Sequence, residues 1–364
     1  MKISIIGNNL TGLILAKALY NKNINVEIFY VDKSKKHKSN RTIAITNKNM
    51  NFVEKNLFHI SKKFINPINE IGIATENSNN KEIFNFKNKK NLFYLIRNKD
   101  LLKILKKNLK GVKLNKIKSQ NFYESLLNKN KNKRDLIINC EKNNIYNKKF
   151  FHKKFNKNYN SIAFTFIINH EPVNNNKALQ IFTKHGPLAF LPLSKFQTSI
   201  VFSINKKSFI RSNSDVFDLF KKYNKIYKKI KFSQIEKVEL KFEVARHYYH
   251  DEILLFGDSL HQIHPLAGQG FNMTIRDLQI LINEIIQIKD LGLPINKNLL
   301  KEFQAKTKPY NFLYSNSINL IETFFKVDNN FKNKISNSIP LSLNKNKIFK
   351  NFIMKVADEG FSFF

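Results

Sequence analysis

The sequence has few of the features that mark several common protein classes. It contains one cysteine, Cys140, which excludes an internal disulfide framework and a cysteine-rich zinc site and fits a reducing cytoplasm. No stretch approaches the roughly 18 to 20 continuous apolar residues of a membrane span. The absence of Gly-x-Ser-x-Gly and P-loop motifs disfavours a serine hydrolase and a nucleoside-triphosphate motor. We therefore expect a protein that neither spans a membrane nor carries an export signal.

Acidic residues are also scarce, since 27 Asp and Glu stand against 63 Lys and Arg, for a formal net charge of +36. Such a charge is typical of proteins that bind nucleic acid or an anionic membrane. The lysines are dispersed, as in residues 127–134 and 147–158, and form no separable basic arm. We expect mainly solvated basic faces, with an acidic membrane surface as the alternative and no nucleic-acid partner.

At 364 residues, 42% of them hydrophobic, the chain can hold two or three domains. Residues 1–7 form a β-branched run, residues 11–22 have helical apolar spacing, and residues 26–30 form a second apolar run. Strand, glycine turn, helix and strand within about 30 residues predict a βαβ unit that binds a dinucleotide pyrophosphate at the helix N-terminus.

The glycine turn of this unit departs from the usual fingerprint. Gly7 and Gly12 occupy the first and third glycine positions, but Asn9 occupies the second, where the backbone approaches the pyrophosphate. Because asparagine tolerates left-handed conformations, we expect the turn to persist better than the contact. Tyr30 stands where an acid usually binds the ribose, and Asp32 is the candidate substitute.

A second candidate ligand site lies in residues 253–277. An apolar run ends at Gly257 and Asp258, a glycine-rich loop follows, and a helical pattern begins near Phe271. An Asp at the end of a buried strand can accept hydrogen bonds from a ribityl hydroxyl, and loop glycines let backbone N–H groups approach a planar or anionic ligand. The helix N-terminus favours a developing negative charge.

A metal site in the same stretch is conceivable, because Asp258, His261 and His264 are spaced three residues apart. Pro265 and the glycines predict a loop instead of a helix, and no further ligand cluster is visible. We therefore expect no metal, and we expect His264 to fix the loop by hydrogen bonding.

The remaining chain predicts a second sheet and further helices. Residues 161–204 alternate apolar and polar positions in three segments, which is typical of antiparallel strands. The tail, 296–364, has helical patterns with phenylalanine beside lysine, which fits packing on the domain or contact with lipid headgroups. Other expected elements are a helix over 47–57, strands at 70–75 and 82–86, a helix capped by Asn98, a helix over 215–230, a strand over 237–246 and a helix from 271 to about 289.

The stretch 253–277 resembles the second flavin-contacting motif of the FAD-dependent aromatic hydroxylases. Its segment HPLAGQGFNM is similar to the ubiquinone-biosynthesis branch of that family, which oxidises polyprenylated phenols. Residues 186–193, GPLAFLPL, resemble the substrate-domain strand that lies over the flavin. The residues that carry the first resemblance are Gly257, Asp258, His261, His264, Pro265, Ala267, Gly268, Gln269, Gly270, Asn272 and Asp277.

The resemblance implies an α/β fold with a Rossmann-like FAD-binding domain, a second antiparallel-sheet substrate domain and a C-terminal helical segment. We expect the FAD-binding domain over 1–160 and 245–295, the substrate domain over 161–244 and the C-terminal helices over 296–364. The small strands at 70–97 are counted in the first domain, with the second as the alternative.

The resemblance also implies which residues contact FAD, although it assigns no catalytic side chain. Pro265, Leu266 and Ala267 are expected to face the flavin ring. Arg41 resembles the family's arginine after the second strand, near the flavin and its phosphates. The full set of expected cofactor-binding residues is Gly7, Asn9, Leu10, Gly12, Asp32, Arg41, Gly257, Asp258, Gly268, Gln269, Gly270 and Asn272.

The implied activity is hydroxylation of a polyprenyl phenol ring with O₂, FAD and NAD(P)H as the expected donor. Cys140 and Glu141 replace the Asp-Gly pair that contacts flavin and nicotinamide in the wider superfamily. A catalytically weakened, flavin-binding accessory protein of a quinone-biosynthesis complex is therefore the alternative, and Cys140 itself is expected to be buried packing. The expected location is cytoplasmic and peripheral on the inner face of the membrane, in contact with lipid or with other quinone-biosynthesis proteins.

Overall fold

A computed structural model of the chain describes residues 1–31, 40–76, 82–119, 122–127, 135–208, 210–263 and 269–331. The helices within these ranges are α1 Leu10–Tyr20, α2 Asn47–Asn56, α3 Asn98–Asn108, α4 Phe122–Leu126, α5 Ile145–Lys149, α6 Asn213–Tyr223, α7 Gln269–Asp290 and α8 Lys297–Phe331. The strands are β1 Lys2–Ile6, β2 Asn25–Val31, β3 Thr42–Thr46, β4 Ile65–Ile68, β5 Glu70–Thr75, β6 Glu82–Lys87, β7 Phe93–Arg97, β8 Lys113–Ile117, β9 Leu136–Asn139, β10 Lys154–Asn169, β11 Lys177–Thr183, β12 Gly186–Ser194, β13 Gln197–Asn205, β14 Lys231–Phe232, β15 Glu236–Ala245, β16 Tyr249–His250, β17 Ile253–Leu255 and β18 His261–Gln262.

The first sheet has the strand order β16-β17-β9-β1-β2-β8. The five strands from β17 to β8 run parallel, and β16 pairs antiparallel with β17. The central strand β1 is buried on both faces, as its Ile3, Ile5 and Ile6 show, because helices cover the sheet. The carboxyl ends of β1, β9 and β17 consequently lie side by side at one edge, where an open parallel sheet binds ligands.

The second sheet has nine strands in the order β18-β15-β10-β13-β12-β11-β5-β6, with β14 beside β10. All of its pairs are antiparallel except β11 with β5. One face packs on α6 through an aromatic core that includes Phe166, Phe202 and Phe220. This arrangement confirms the predicted α/β class with a Rossmann-like half and an antiparallel half.

The strands predicted at 70–75 and 82–86 lie in the nine-stranded sheet as β5 and β6. A separate three-stranded sheet, ordered β3-β7-β4, also lies within the first 100 residues. Sheet membership therefore divides residues 65–97 between two sheets, and it favours the alternative that strands β5 and β6 belong with the substrate side. The domain boundaries given above stay a prediction.

Two helix predictions need correction. The helix expected over 215–230 ends at Tyr223, because the Asn224 side chain accepts the backbone N–H groups of Ile226 and Tyr227 and forms a turn instead. Asn98 is not the cap of α3 but its first residue; Arg97 precedes the helix and makes no side-chain capping bond.

The C-terminal region begins with α8, which is 35 residues long and contains Pro309. The rest of the predicted tail, 332–364, lies outside the described residues. Among the helices of the described ranges, none has both the length and the apolar content needed to cross a bilayer.

Candidate functional site

The turn between β1 and α1 closes on its own atoms. Gly7 has φ of +106°, a conformation that favours glycine. A Cβ placed on Gly12 would lie 2.1 Å from the carbonyl oxygen of Gly7, so the packing of the turn excludes any side chain there. The first and third glycines of the fingerprint are thus required by the backbone geometry itself.

Asn9 has an extended backbone, with φ of −73° and ψ of 175°, and not the left-handed conformation considered above. The reason is that it caps α1: its Oδ1 accepts the Gly12 N–H at 2.9 Å. Its Nδ2 donates to the Cys140 carbonyl oxygen at 2.7 Å. The N–H groups of Leu10 and Thr11 make no hydrogen bond within the described residues, so the helix start keeps two free donors.

The end of β9 lies against this turn. Cys140 is fully buried, in agreement with a packing role, and burial followed by the Asp258 carboxylate raises the pKa of its thiol. Glu141 is also buried, and a Cβ placed on Gly7 would lie 3.2 Å from the Glu141 Cβ. The Tyr123 hydroxyl donates to Glu141 Oε2 at 2.9 Å. Burial, and then the Glu141 charge, raise the pKa of Tyr123.

The Gly257–Ser259 turn completes this edge of the sheet. Gly257 has φ of +62°, and a Cβ there would lie 2.1 Å from the Thr11 Cγ2, so the turn rests directly on the first turn of α1. Ser259 Oγ donates to the Asn139 carbonyl oxygen at 2.5 Å and ties the turn to β9. Asp258 itself is exposed, and its charge reaches Cys140. The two stretches singled out from the sequence therefore meet.

The start of α7 is fixed by Asn272, whose side chain is buried. Its Oδ1 accepts the Thr46 N–H and the Asn49 Nδ2, each at 3.0 Å, and its Nδ2 donates to the Ala44 carbonyl oxygen at 2.9 Å. The Asn272 amide thus joins α7 to β3, and any contact with a cofactor would come from its backbone. Gly270 differs, since among the described residues a Cβ there would meet Ile263 alone, at 3.7 Å.

A buried polar cluster lies under α7. His261 Nε2 is 3.0 Å from Asp277 Oδ2, and the two side chains are 1% and 0% exposed. Asn311 of α8 donates to the same carboxylate oxygen at 3.0 Å. This pairing gives His261 a structural partner, and the part of the chain that the structure describes contains no group of three potential metal ligands.

The remaining residues named from the sequence have the following positions. Arg41 is exposed just before β3, and its carbonyl oxygen accepts the Asn98 N–H at 2.9 Å. Gln269 is the first residue of α7, and Tyr30 is half-buried against the core of the parallel sheet. The others lie outside the described residues: Asp32, Pro265, Leu266, Ala267 and Gly268, together with His264.

Three residues with clear roles were missed from the sequence: Asn49, Asn311 and Tyr123. Each contacts a residue that the sequence did single out, but across the fold. Only Asn49 left a local signal, as a second asparagine in the first turn of a predicted helix. The other two became visible through tertiary contacts alone.

The residues at this edge suit a dinucleotide such as FAD. The free N–H groups of Leu10 and Thr11 sit at the positive end of α1, which favours a pyrophosphate. Asp258 presents an exposed carboxylate that can accept hydrogen bonds from hydroxyl groups of the ligand. Gly270 has no side chain that would keep a ligand away from the backbone at the start of α7. Gly7 keeps the turn free of side-chain atoms beside these donors.

Comparisons with known proteins agree with this chemistry. The family model described as an FAD binding domain matches residues 159–290. Ubiquinone hydroxylase UbiL of Rhodospirillum rubrum is 27% identical over 166 residues, which cover 43% of this chain and 38% of that protein. The 3-demethoxyubiquinol 3-hydroxylase of Escherichia coli is 29% identical over 172 residues, which cover 40% of this chain and 39% of that protein. Over less than half of its length, the chain is therefore similar to an FAD binding domain and to hydroxylases of ubiquinone metabolism.

The matched segment spans less than half the length of either hydroxylase. Solved structures extend the likeness in fold to nearly the whole chain. The p-nitrophenol 4-monooxygenase PnpA of Pseudomonas putida has a TM-score of 0.78 at 11% identity and covers 98% of both chains. Klebsiella pneumoniae HpxO, solved with FAD and uric acid, has a TM-score of 0.73 at 12% identity and covers 98% of this chain and 96% of its own. At such identities the likeness is one of fold alone.

Proposed function

We propose that this protein is an FAD-dependent monooxygenase that hydroxylates the aromatic ring of a polyprenylated phenol in ubiquinone biosynthesis, using O₂ and NAD(P)H. The observation that carries the proposal is the meeting of the Gly7 turn, the end of β9 and the Gly257–Ser259 turn at one sheet edge. The comparisons support it, because two of the similar proteins are named as a ubiquinone hydroxylase and a 3-demethoxyubiquinol 3-hydroxylase.

The chain's own residues would hold the cofactor by position and charge. The start of α1 would bind the pyrophosphate through the N–H groups of Leu10 and Thr11, and Asp258 would accept the sugar-alcohol hydroxyls. The start of α7, where Gly270 leaves room, would place its positive end near the ring. Bound FAD, once reduced, supplies the activation of O₂, so the protein needs no conspicuous acid–base pair.

The antiparallel sheet would exclude water and orient the ring. On its face opposite α6, Phe182 belongs to one hydrophobic cluster with Met273 of α7, and Ala178 belongs to another with Ala44 of β3. A dry wall of this kind suits an apolar phenol whose tail is hydrocarbon.

The alternative of a weakened accessory protein keeps a specific observation in its favour. Asn9 uses its side chain to cap Gly12 and to hold Cys140, which removes one N–H group from the set available to a pyrophosphate. Glu141 also brings a carboxylate beside that turn. Both features would weaken FAD binding. The experiment that tests for a monooxygenase, described next, also tests for this accessory role.

The deciding experiment is the visible spectrum of the purified protein with FAD, followed by anaerobic mixing with NADH and with NADPH. A flavin band that bleaches, with subsequent hydroxylation of a short-chain prenyl phenol in air, is the expected result. A bound flavin that stays oxidised with both donors would favour the accessory role. A protein that binds no flavin at all would contradict both.

Peripheral contact with the inner face of the membrane forms part of the proposal, because the substrate dissolves in lipid. The net charge of +36 favours an anionic surface. Phe155 and Phe312 are 40% and 49% exposed, and Arg246 lies over the Phe155 ring at 4.8 Å. Flotation with vesicles containing phosphatidylglycerol should recover the protein, and uncharged phosphatidylcholine vesicles should recover less.

A further inference from the structure

One end of the nine-stranded sheet carries two exposed apolar side chains at the tips of two turns. Phe196, in the turn between β12 and β13, is 55% exposed, and Ile226, in the turn after α6, is 46% exposed. The Phe196 N–H donates to Ser194 Oγ at 3.2 Å. In the same way, the Ile226 N–H donates to Asn224 Oδ1 at 3.3 Å. Both side chains are therefore presented to solvent by turns with fixed backbones.

The two turns are attached to the same short segment of chain. The His170 N–H donates to the Phe196 carbonyl oxygen at 3.0 Å. The next N–H along the chain, that of Glu171, donates to the Lys228 carbonyl oxygen at 3.3 Å. His170 itself is buried, and its Nε2 lies 3.0 Å from the Thr198 hydroxyl oxygen. This support brings the two tips to one surface and holds them there.

Exposed lysines adjoin both tips in sequence, one directly before Phe196 and two around Ile226. Within the described residues, none of these three ammonium groups pairs with an acidic side chain. Glu171, the acid nearest in the chain to the supporting His170, pairs instead with Lys229 at 2.7 Å. The surface therefore keeps positive charge that the protein does not neutralise. We call it the basic turn surface, and its members are Lys195, Phe196, Lys225, Ile226 and Lys228.

Resting on the peripheral membrane contact proposed above, we infer that the basic turn surface docks the protein on anionic lipid, with Phe196 and Ile226 entering the headgroup region. Apolar side chains gain free energy at that depth, and lysines beside them attract anionic headgroups. A protein partner fits less well, because lysine is depleted at protein interfaces. Single-stranded nucleic acid is bound by stacking on aromatic rings, and Ile226 has no ring.

Phe155 and Phe312 form a second exposed apolar pair, which lies at the other end of β10. Phe155 is near the beginning of this strand and His170 follows its end; the strand has 16 residues and spans roughly 50 Å. The Phe155 ring already lies 6.1 Å from the Phe312 ring and 4.8 Å from the Arg246 guanidinium. Within the part of the chain that the structure describes, Phe196 has no such contact. The two surfaces predict different orientations on a bilayer, and the free ring of Phe196 favours the basic turn surface.

A fluorescent label on a single cysteine measures which surface enters the lipid. Cys140 is fully buried, so Phe196→Cys and its matched control Phe312→Cys each add one accessible thiol for the environment-sensitive dye nitrobenzoxadiazole. With vesicles of phosphatidylcholine and phosphatidylglycerol, the emission of the dye at position 196 should shift to the blue, and that at position 312 should change little. The reverse result would keep the proposed membrane contact and overturn the inference.

Flotation with the same vesicles tests the lysines. The triple variant carries Lys195→Gln, Lys225→Gln and Lys228→Gln, and its control carries Lys103→Gln, Lys106→Gln and Lys107→Gln at exposed positions of α3. The triple variant should partition into the vesicles about a hundredfold more weakly than wild type, or roughly fivefold for each lysine, and the control should lose much less. Equal losses in the two variants would assign binding to net charge alone and would overturn the inference.

The flavin spectrum of the same samples tests the proposed function separately. The substituted positions lie outside the candidate flavin site, so the flavin band and its bleaching by NADH or NADPH should match those of wild type. A protein that docks through these turns but binds no flavin would contradict the proposed function and keep the inference. A flavin that binds and bleaches in a protein that does not float would do the reverse.

Discussion

The two halves of the candidate flavin site use glycine for different reasons. In the turn between β1 and α1, a side chain at Gly12 would collide with the Gly7 carbonyl oxygen at 2.1 Å. At the start of α7, a Cβ on Gly270 would meet, within the part of the chain that the structure describes, Ile263 alone at an ordinary distance of 3.7 Å. The packing of the turn requires glycine at position 12. The packing of the described residues does not require glycine at position 270. A glycine motif therefore contains two kinds of position, which only substitution separates.

We expect the largest loss of stability from a substitution in the buried polar cluster under α7. Asp277→Ala leaves His261 and Asn311 without their shared buried acceptor, and we expect the free energy of unfolding to fall by about 3–5 kcal/mol. Urea unfolding followed by circular dichroism measures the change. Asp290→Asn, at an exposed position on the same helix, serves as the control and should stay within about 0.5 kcal/mol of wild type. A mild effect of Asp277→Ala would mean that the start of α7 does not depend on this cluster.

The glycines themselves test the comparison directly. Gly12→Ala should lower the free energy of unfolding by about 3 kcal/mol, because backbone atoms must move to admit the methyl group. Gly270→Ala, in the first turn of α7, should leave stability unchanged or raise it by less than about 1 kcal/mol, but should weaken FAD binding. Urea titration and flavin fluorescence quenching measure the two effects. Equal losses of stability in both variants would remove the distinction between the halves.

Substitution of Asp258 is expected to affect FAD binding more than stability. Asp258→Asn should weaken FAD binding roughly tenfold or more, since it replaces a charged acceptor, while the stability of the flavin-free protein stays within about 0.5 kcal/mol of wild type. The reason for the small second effect is that Asp258 is exposed. Equilibrium dialysis of FAD against both proteins provides the measurement, and unaltered affinity would exclude Asp258 from the cofactor site.

We expect the smallest loss of stability from a substitution in the ion pair that joins the two sheets. Lys142, next to the end of β9, lies 2.8 Å from the Glu243 carboxylate on β15. Burial alone would raise the pKa of Glu243, but hydrogen bonds and charge from Lys142 and Lys154 outweigh it and hold the pKa below its ordinary value. A carboxyl with a lowered pKa stabilises the fold above its ordinary pKa, and this stabilisation is lost as the pH falls through the folded value.

Glu243→Gln should therefore cost less than about 1 kcal/mol at neutral pH and nothing at a pH below the folded pKa. Unfolding curves at a series of pH values from neutral to acid measure the difference between variant and wild type. A difference that does not shrink on acidification would assign the effect to packing instead of charge.

Local pattern predicted most of the fold and a defined part of the site. The apolar runs at 1–7 and 26–30 became β1 and β2, and the alternating segments became β10 to β13, because burial on one or both faces leaves a direct trace in the sequence. The helix predicted over 215–230 was too long, because its amphipathic pattern continues past the turn that Asn224 forms. Periodicity alone therefore does not fix where a helix ends.

Contacts across the fold left no such trace. Asn9 and Cys140 are 131 residues apart, and the two departures from the family pattern turned out to bond to each other. Asn311 reaches Asp277 from a different helix. Periodicity states which face of an element is buried, but it carries no information about which polar side chains meet there.

The position of β17 in the parallel sheet has a consequence for synthesis of the chain. β9 ends at Asn139 with β1 on one side, and its other edge is covered only when β17 arrives about 114 residues later. At about 5–20 residues per second, a ribosome needs roughly 6–23 s to cover that interval. During this time the nascent chain exposes an unpaired apolar strand edge, the kind of edge at which chains aggregate. Nascent chains stalled before residue 253 should therefore depend on chaperones more strongly than those released after it.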